Sequence, residues 1–112
     1  MIKVGVIGAG HLGKIHLSIL NNSDFELVGF HDTDVSNSEK LSQEKGYTFF
    51  KNLDSLINKI DAAVIVSPTT THFGIAEKCI SKGKHIFVEK PLCLNHEELS
   101  KLKKYFLSPK AS

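Results

Sequence analysis

Arginine is absent from this 112-residue sequence, and all 14 of its basic residues are lysine. The formal net charge is only +2 and the lysines are scattered along the chain, so the charge pattern does not require nucleic acid or a membrane surface as a partner. No apolar run approaches the length that crosses a bilayer, and the first residues are typical of a strand rather than of a signal peptide. We therefore expect a cytoplasmic protein that binds neither nucleic acids nor membranes.

Cysteine is scarce as well. The two cysteines, Cys79 and Cys93, match no metal-binding or redox spacing, so two reduced thiols and no metal site are expected. Internal repeats, low-complexity tracts and an interdomain linker are also missing. A sequence with 41% hydrophobic and 23% charged residues then suits one globular domain, spanning residues 1–112, with a core of its own.

What the sequence does contain is a glycine-rich turn close to its start. Residues 2–7 form a short apolar run, residues 8–13 read Gly-Ala-Gly-His-Leu-Gly, and apolar residues then recur at helical spacing. Strand, glycine turn and helix in this order are the context in which a GxGxxG motif indicates dinucleotide binding. Without that context the motif often marks only a tight turn.

Each position of the motif has an expected task. Gly8 allows a sharp turn out of the strand, Gly10 leaves room for a pyrophosphate beside the backbone, and Gly13 lets the helix pack closely on the strand. The first N–H groups and the positive dipole end of the helix would then face the phosphates. His11 and Leu12 would lie beside the cofactor; His11 could approach a phosphate, although a tolerated variable position is the simpler interpretation.

Strands and helices alternate through the rest of the chain. Apolar or β-branched runs predict further strands at residues 25–31, 47–50, 62–66 and 84–88, with helical patterns between them and a last helix that begins near Asn95. This alternation predicts an α/β fold, a doubly wound parallel sheet of about five strands in the order 3-2-1-4-5 with helices on both faces, which is the Rossmann arrangement. A ligand would bind at the carboxyl ends of the first and fourth strands, where the winding reverses.

Asp32 stands at the end of the second predicted strand, close to the position where a ribose-binding acid belongs. A carboxylate there can accept hydrogen bonds from the adenosine ribose and would repel the 2′-phosphate of NADP. NADP sites usually neutralise that phosphate with an arginine, which this sequence lacks. We therefore expect NAD, with NADP disfavoured. The simpler alternative for Asp32 is a cap of the following turn, and Asp34 could share either role.

The segment Glu89-Lys90-Pro91, at the end of the fifth predicted strand, completes a set of motifs that resembles the N-terminal dinucleotide-binding domain of the Gfo/Idh/MocA oxidoreductases. The other matching features are the glycine motif at residues 8–13, Asp32 and residues 66–72. Because many families share the glycine motif, the Glu-Lys-Pro segment is the more specific feature. The resemblance covers nearly the whole chain and implies a Rossmann fold and an NAD-dependent dehydrogenase.

By this resemblance, Lys90 would lie near the nicotinamide and a substrate hydroxyl, where a lysine can hydrogen-bond the reacting oxygen and help its proton to leave. Glu89 would help to place the cofactor or Lys90, and Pro91 would fix the turn. The other residues that the resemblance places along the dinucleotide are Ser67, Pro68, Thr69 and His72. Simpler alternatives are a solvated surface lysine for Lys90 and a first-turn helical residue for His72.

The resemblance also implies a substrate class, because family members move a hydride between a nicotinamide and a carbon that bears a hydroxyl group, often on a sugar or cyclitol. Their second domain, which supplies the substrate pocket, has no counterpart in these 112 residues. We therefore expect NAD binding without efficient turnover and, because apolar surface would stay uncovered, a homo-oligomer. Two alternatives remain open: a non-catalytic NAD-binding or redox-sensing module, and another Rossmann-type binder such as one for S-adenosylmethionine.

Overall fold

The computed structural model of the protein describes residues 2–67 and 69–88. Its strands are β1 (Lys3–Ile7), β2 (Glu26–His31), β3 (Ala62–Ile65) and β4 (His85–Val88), and its helices are α1 (His11–Asn21), α2 (Val35–Lys45), α3 (Leu53–Lys59) and α4 (Thr69–Ser81). Neighbouring strands are parallel, and their order across the sheet is β2-β1-β3-β4. The predicted doubly wound, parallel α/β sheet is thereby confirmed.

The segment predicted as a strand at residues 47–50 is reduced to a single pairing. Phe49 forms an isolated parallel bridge with Phe30 of β2, and the N–H of Phe50 donates to the carbonyl of Phe30 at 2.8 Å. The pairing stops there because the chain turns at once into α3, whose N-cap is Asn52. The segment lies beside β2, as the predicted order requires, but the described residues form four strands rather than five.

Side-chain caps define where α2 and α3 begin. The Asp34 carboxylate accepts a hydrogen bond from the N–H of Asn37 at 3.1 Å, and the Asn52 side chain accepts one from the N–H of Ser55 at 3.1 Å. Such caps satisfy main-chain donors that have no partner within the helix. At its other end α2 stops at Gly46, whose φ of 80° is the left-handed conformation that ends many helices.

Helices cover both faces of the sheet, so two apolar clusters form. Under α1 and α2 lie Val4, Val6, Ala9, Leu17, Phe30, Leu41 and Val64. Under α3 and α4 lie Ile7, Leu56, Ile57, Ile60, Ala63, Ile65, Ala76, Cys79 and Ile80. With both faces of the central strands occupied, the strand ends and the loops after them are the places where such a sheet binds ligands.

Within residues 2–67 and 69–88, no helix combines the length and the apolar character that crossing a bilayer requires. The helix predicted from Asn95 and the second cysteine, Cys93, lie outside the described residues.

Candidate dinucleotide-binding site

The four strands end at one level of the sheet. Ile7, the last residue of β1, is in register with His31 of β2 and with Ile65 of β3, and Ile65 is in register with Val88 of β4. The described residues that follow β1, β2 and β3 therefore leave the sheet along one edge. The glycine turn at residues 8–13 lies in the middle of that edge, where the winding of the sheet reverses.

Gly8 makes the turn out of β1 possible. Its φ of 107° is an angle that residues with a Cβ rarely adopt, and a Cβ there would lie 2.6 Å from the main-chain nitrogen of Ser67. The Gly8 N–H donates to the carbonyl of His31 at 2.8 Å. The turn is thus held between the ends of β2 and β3, which agrees with the task predicted for the first glycine of the motif.

The other two glycines of the motif differ in what surrounds them. A Cβ on Gly13 would lie 2.8 Å from the carbonyl carbon of Gly8 and 3.3 Å from Cγ2 of Val66, so a side chain would push α1 away from the turn. A Cβ on Gly10 would meet no atom of the described residues within 4 Å. The space beside Gly10 is therefore open, which is the arrangement expected where a diphosphate approaches the backbone.

α1 begins without a side-chain cap. Its N-cap is Gly10, and no acidic residue occupies its first turn. The N–H of Lys14 donates to the carbonyl of Gly10 at 3.0 Å, so the N–H groups of residues 11–13 precede the helical hydrogen-bond ladder. The side chains of His11 and Leu12 are exposed at this point. Main-chain donors together with the positive end of the helix dipole suit a negatively charged group.

The half-buried carboxylate of Asp32 is bonded to two loops. Its Oδ2 accepts a hydrogen bond from the N–H of Ala9 at 2.6 Å, and its Oδ1 accepts one from the N–H of Asp34 at 2.9 Å. The acid that was expected to bind the ribose therefore also holds the glycine turn and the turn after β2. The alternative role, a cap of the turn after β2, is thus also performed by Asp32, while Asp34 caps α2 itself.

The remaining predicted site residues follow β3 and β4. Ser67 is close to the end of β3, and Thr69 opens α4, with His72 in its first turn; only the backbone of Thr69 and His72 belongs to the described part of the structure. Outside the described residues lie Pro68, Glu89, Lys90 and Pro91. The structure thus brings the glycine turn, Asp32 and Ser67 together, while the contacts of all these residues with a cofactor stay predictions.

The sequence alone gave no role to His16, in the second turn of α1. Its ring lies against that of Phe87 in β4, with the ring centroids 6.0 Å apart and the ring planes inclined by 59°. His16 is half-buried, whereas Phe87 is 56% exposed. The signal that could have identified this residue is a polar aromatic side chain within an otherwise apolar stripe, one helical turn after Gly13.

Among the described residues, clear pKa shifts fall on two groups of α3 and α4. Burial raises the pKa of the Cys79 thiol to about 11. The ammonium of Lys78, 3.0 Å from the carboxylate of Asp54, holds the pKa of that carboxyl below its usual value. Within residues 2–67 and 69–88, no group of three or more His, Cys, Asp or Glu side chains could hold a metal ion.

Known proteins resemble this chain in sequence and in fold. Residues 2–110 match the model of the Gfo/Idh/MocA family, described as an oxidoreductase family with an NAD-binding Rossmann fold. UDP-N-acetylglucosamine 3-dehydrogenase from Acidithiobacillus ferrooxidans is 36% identical over 101 residues, which are 90% of this chain and 32% of that protein. Inositol 2-dehydrogenase from Rhizobium meliloti is 34% identical over 101 residues, 88% of this chain and 30% of that protein. The chain thus spans about a third of the length of these relatives.

Solved structures agree with the sequence matches. The structure of the Acidithiobacillus ferrooxidans enzyme superposes with a TM-score of 0.87 at 34% identity, over 94% of this chain and 34% of that one. GenD2 from gentamicin A biosynthesis, solved in complex with NAD, gives a TM-score of 0.84 at 27% identity, over 93% of this chain and 31% of that one. These matches favour a nicotinamide dinucleotide over S-adenosylmethionine. The chain belongs to the Gfo/Idh/MocA oxidoreductase family and carries its NAD-binding Rossmann fold.

Proposed function

We propose that this chain is the cofactor-binding part of an NAD-dependent oxidoreductase, which moves a hydride between the nicotinamide and a hydroxyl-bearing carbon of a sugar, cyclitol or related polyol. The observation that carries the proposal is the row of aligned strand ends, with the glycine turn at its centre and Asp32 bonded to that turn. Membership of an oxidoreductase family supports the reaction class.

The glycine turn would bind the diphosphate. The N–H groups of residues 11–13 would donate to phosphate oxygens, and no acidic side chain in the first turn of α1 would repel them. Gly10 would give the diphosphate its space, because nothing described lies within 4 Å of where its Cβ would be. Gly8 and Gly13 would act differently, since they shape the turn rather than make room for the ligand.

Asp32 would select NAD over NADP. Each of its oxygens accepts one main-chain hydrogen bond and keeps a further lone pair for a ribose hydroxyl. A 2′-phosphate would instead meet this carboxylate, with that of Asp34 nearby in the sequence. No lysine occurs between residues 31 and 39, and the chain has no arginine, so this stretch offers no fixed cation to neutralise the phosphate.

Lys90 would handle the proton of the substrate hydroxyl. When the substrate is oxidised, its carbon loses a hydride and its hydroxyl oxygen loses a proton; a neutral lysine amine hydrogen-bonded to that oxygen can take the proton. In the reverse direction the lysine ammonium would return it to the oxygen. Glu89 and Pro91 would orient Lys90, and the residues that would line the path of the dinucleotide are Ser67, Pro68, Thr69 and His72.

The substrate class rests on the relatives. One is named a 3-dehydrogenase of UDP-N-acetylglucosamine and another a 2-dehydrogenase of inositol, so both names specify a ring carbon of a sugar or cyclitol. A ring alcohol of this kind is the substrate class proposed for the enzyme to which this chain contributes its cofactor site.

Calorimetric titration with NAD, NADP and S-adenosylmethionine tests the cofactor, and NAD should bind most tightly. Hydride-transfer assays with a panel of sugars and cyclitols, on the product of the complete coding region, test the reaction.

Lys90→Ala should remove turnover and leave NAD binding nearly unchanged, whereas Lys45→Ala, at the exposed end of α2, should leave both unchanged. Full turnover by Lys90→Ala would remove Lys90 from the mechanism, and a protein that does not bind NAD would overturn the proposal as a whole.

We also propose that the chain associates with a second copy of itself through the outer face of α1. Leu12, Ile15 and Ile19 recur there at helical spacing and are 42%, 42% and 60% exposed. On the inner side of the same helix, Leu17 is fully buried against the sheet. A helix at the surface normally places polar residues on its outer face, and exposed apolar stripes of this kind tend to be covered by another protein surface.

A further inference from the structure

A groove separates α1 from α2 on the face of the sheet that both helices cover. It has a volume of about 290 Å³, and the residues that line it include His11, Lys14, Ile15, Leu41, Lys45 and Tyr47. Pockets that bind small molecules begin at about 300 Å³. The groove is therefore large enough for a ligand with a single ring and too small for a dinucleotide.

The floor of the groove is apolar and firmly held. Leu41 belongs to the cluster under α1 and α2 and is 6% exposed, and the half-buried Tyr47 packs against the same cluster. The backbone at Tyr47 is fixed, because its carbonyl accepts a hydrogen bond from the hydroxyl of Ser42. Ile15 adds an aliphatic side chain from α1. A ring bound here would bury apolar surface against side chains that are already in place.

The lining of the groove carries positive charge. Lys14 of α1 and Lys45, the last residue of α2, contribute ammonium groups, and His11 contributes an imidazole. All three residues are exposed, and no acidic side chain of the described residues pairs with any of them. α1 contains no acidic residue along its whole length. An anionic group would thus meet cations that the described part of the protein does not neutralise.

The groove is distinct from the proposed dinucleotide site, although both border α1. The diphosphate would bind in front of the first N–H groups of α1, whereas the groove follows the flank of that helix towards the far end of α2. Lys45 is about 15 Å along α2 from Val35, the residue with which this helix begins near Asp32. His11, at the start of α1, is the residue that the two sites share.

We propose that the groove between α1 and α2 binds a small phosphate monoester of an apolar ring, with the phosphate on Lys14 and Lys45 and the ring on Leu41 and Tyr47. Two ammonium groups match the nearly double negative charge of a phosphate monoester better than the single charge of a carboxylate. Both parts of the ligand are needed, because ion pairs with exposed lysines contribute little by themselves. The inference goes beyond the proposed function and does not depend on a bound dinucleotide.

Phenyl phosphate is the probe that combines both parts, while inorganic phosphate has the charge alone and benzyl alcohol the ring alone. Phenyl phosphate should bind at least about tenfold more tightly than either, since burial of about 60 Å² of ring surface corresponds to that factor. Phenylacetate, which carries one charge, should bind more weakly. In NMR spectra, phenyl phosphate should shift the main-chain amides of residues 14–18 and 41–47, and saturating NAD should not displace it.

Substitution of the two lysines tests the site directly. Lys14→Gln and Lys45→Gln should each weaken phenyl phosphate binding about two- to fivefold, the range for one exposed ion pair, and leave benzyl alcohol binding unchanged. Lys40→Gln is the matched control, because it removes the same charge from an exposed position on α2 that does not line the groove. This control should bind phenyl phosphate as the unsubstituted protein does.

Several results would overturn the inference. Displacement of phenyl phosphate by NAD, or amide shifts confined to the glycine turn, would assign the probe to the dinucleotide site. Equal affinity for inorganic phosphate, or an equal effect of Lys40→Gln and Lys45→Gln, would show an unspecific charged surface. Phenylacetate that binds as tightly as phenyl phosphate would contradict the choice of a phosphate, and a protein that does not bind phenyl phosphate would contradict the site. A protein that binds phenyl phosphate in the groove but not NAD would support this inference and contradict the proposed function.

Discussion

The carboxylate of Asp32 accepts a hydrogen bond at 2.6 Å from the main-chain N–H of Ala9, the second residue of the glycine motif. Its other oxygen accepts one at 2.9 Å from the N–H of Asp34, in the turn after β2. A single side chain thus sets the separation of two loops that, in the proposed complex, contact the diphosphate and the ribose. Asp32 would therefore preorganise the two loops in the free protein, and loops that are already in place lose less conformational freedom when the cofactor binds.

Replacement of Asp32 by asparagine should weaken NAD binding about ten- to hundredfold, because a charged acceptor is lost both to the ribose and to Ala9. NADP binding should weaken less, since the substitution also removes a charge that repels the 2′-phosphate. Titration of both cofactors measures the two effects. Glu44→Gln is the control, because it removes one negative charge from the exposed surface of α2, away from the turn after β2. An unchanged preference for NAD in Asp32→Asn would contradict the proposed selectivity.

Alanine at Gly10 should mainly weaken NAD binding, whereas alanine at Gly13 should mainly lower the stability of the fold. Gly10→Ala should lower the free energy of unfolding by at most about 1 kcal/mol, the cost of a poorer N-cap, because its Cβ meets nothing described within 4 Å. The same methyl group would occupy the space of the diphosphate, so NAD affinity should fall about tenfold or more. Thermal and denaturant unfolding, together with NAD titration, measure both quantities.

Gly13→Ala is the counterpart of that variant. Its Cβ would lie 2.8 Å from the carbonyl carbon of Gly8, so the backbone of the turn must shift, at a cost of about 2 kcal/mol or more in the free energy of unfolding. A Gly10→Ala protein that binds NAD normally would show that the diphosphate does not approach this glycine. A Gly13→Ala protein of unchanged stability would show that the close packing of α1 on the turn is dispensable.

Most of the fold could be predicted because its signals are local. The apolar run at residues 62–66 predicts a buried central strand whatever surrounds it, and Asn52 caps α3 through its own side chain. Residues 47–50 show the limit of such signals. Aromatic and β-branched residues favour a strand there, but its length depends on where the chain must turn into α3, and the pairing shrinks to the bridge between Phe49 and Phe30.

In the candidate site, too, features that depend on neighbouring residues could be predicted and contacts between distant segments could not. The tasks of Gly8, Gly10 and Gly13 were predicted from one contiguous motif. The structure shows a positive φ at Gly8, a close approach at Gly13 and open space beside Gly10, while the binding role of Gly10 stays a prediction. Contacts between distant segments could not be predicted. The bond from Ala9 to Asp32 depends on the register of β1 with β2, and the contact of His16 with another element depends on the rotation of α1 about its axis. Periodicity and motif spacing determine neither quantity.

Ile19→Lys should shift the protein towards the monomer if a second copy covers the outer face of α1. Ile19 is 60% exposed, so the substitution should leave the fold intact while placing a charge in the apolar stripe. Size-exclusion chromatography with light scattering over a range of concentrations measures the change. Asn21→Lys adds the same charge at the exposed last residue of α1, about 200° further around the helix, and should not alter association. An unsubstituted protein that is monomeric at high concentration would contradict the proposed association.

The buried thiol of Cys79 should make stability depend on alkaline pH. Burial raises the pKa of this thiol from 9.0 to about 11, so the folded protein keeps it neutral after the unfolded chain has begun to ionise. Its contribution to stability is therefore fully present below pH 9 and is lost as the pH rises towards 11, up to about 2–3 kcal/mol in all.

Cys79→Ala lacks this titration but shares every other ionisable group with the unsubstituted protein. The difference between their free energies of unfolding, measured with denaturant, should stay constant up to about pH 8 and then change in favour of Cys79→Ala. A difference that stays constant through pH 11 would show that the thiol is not protected from ionisation by burial.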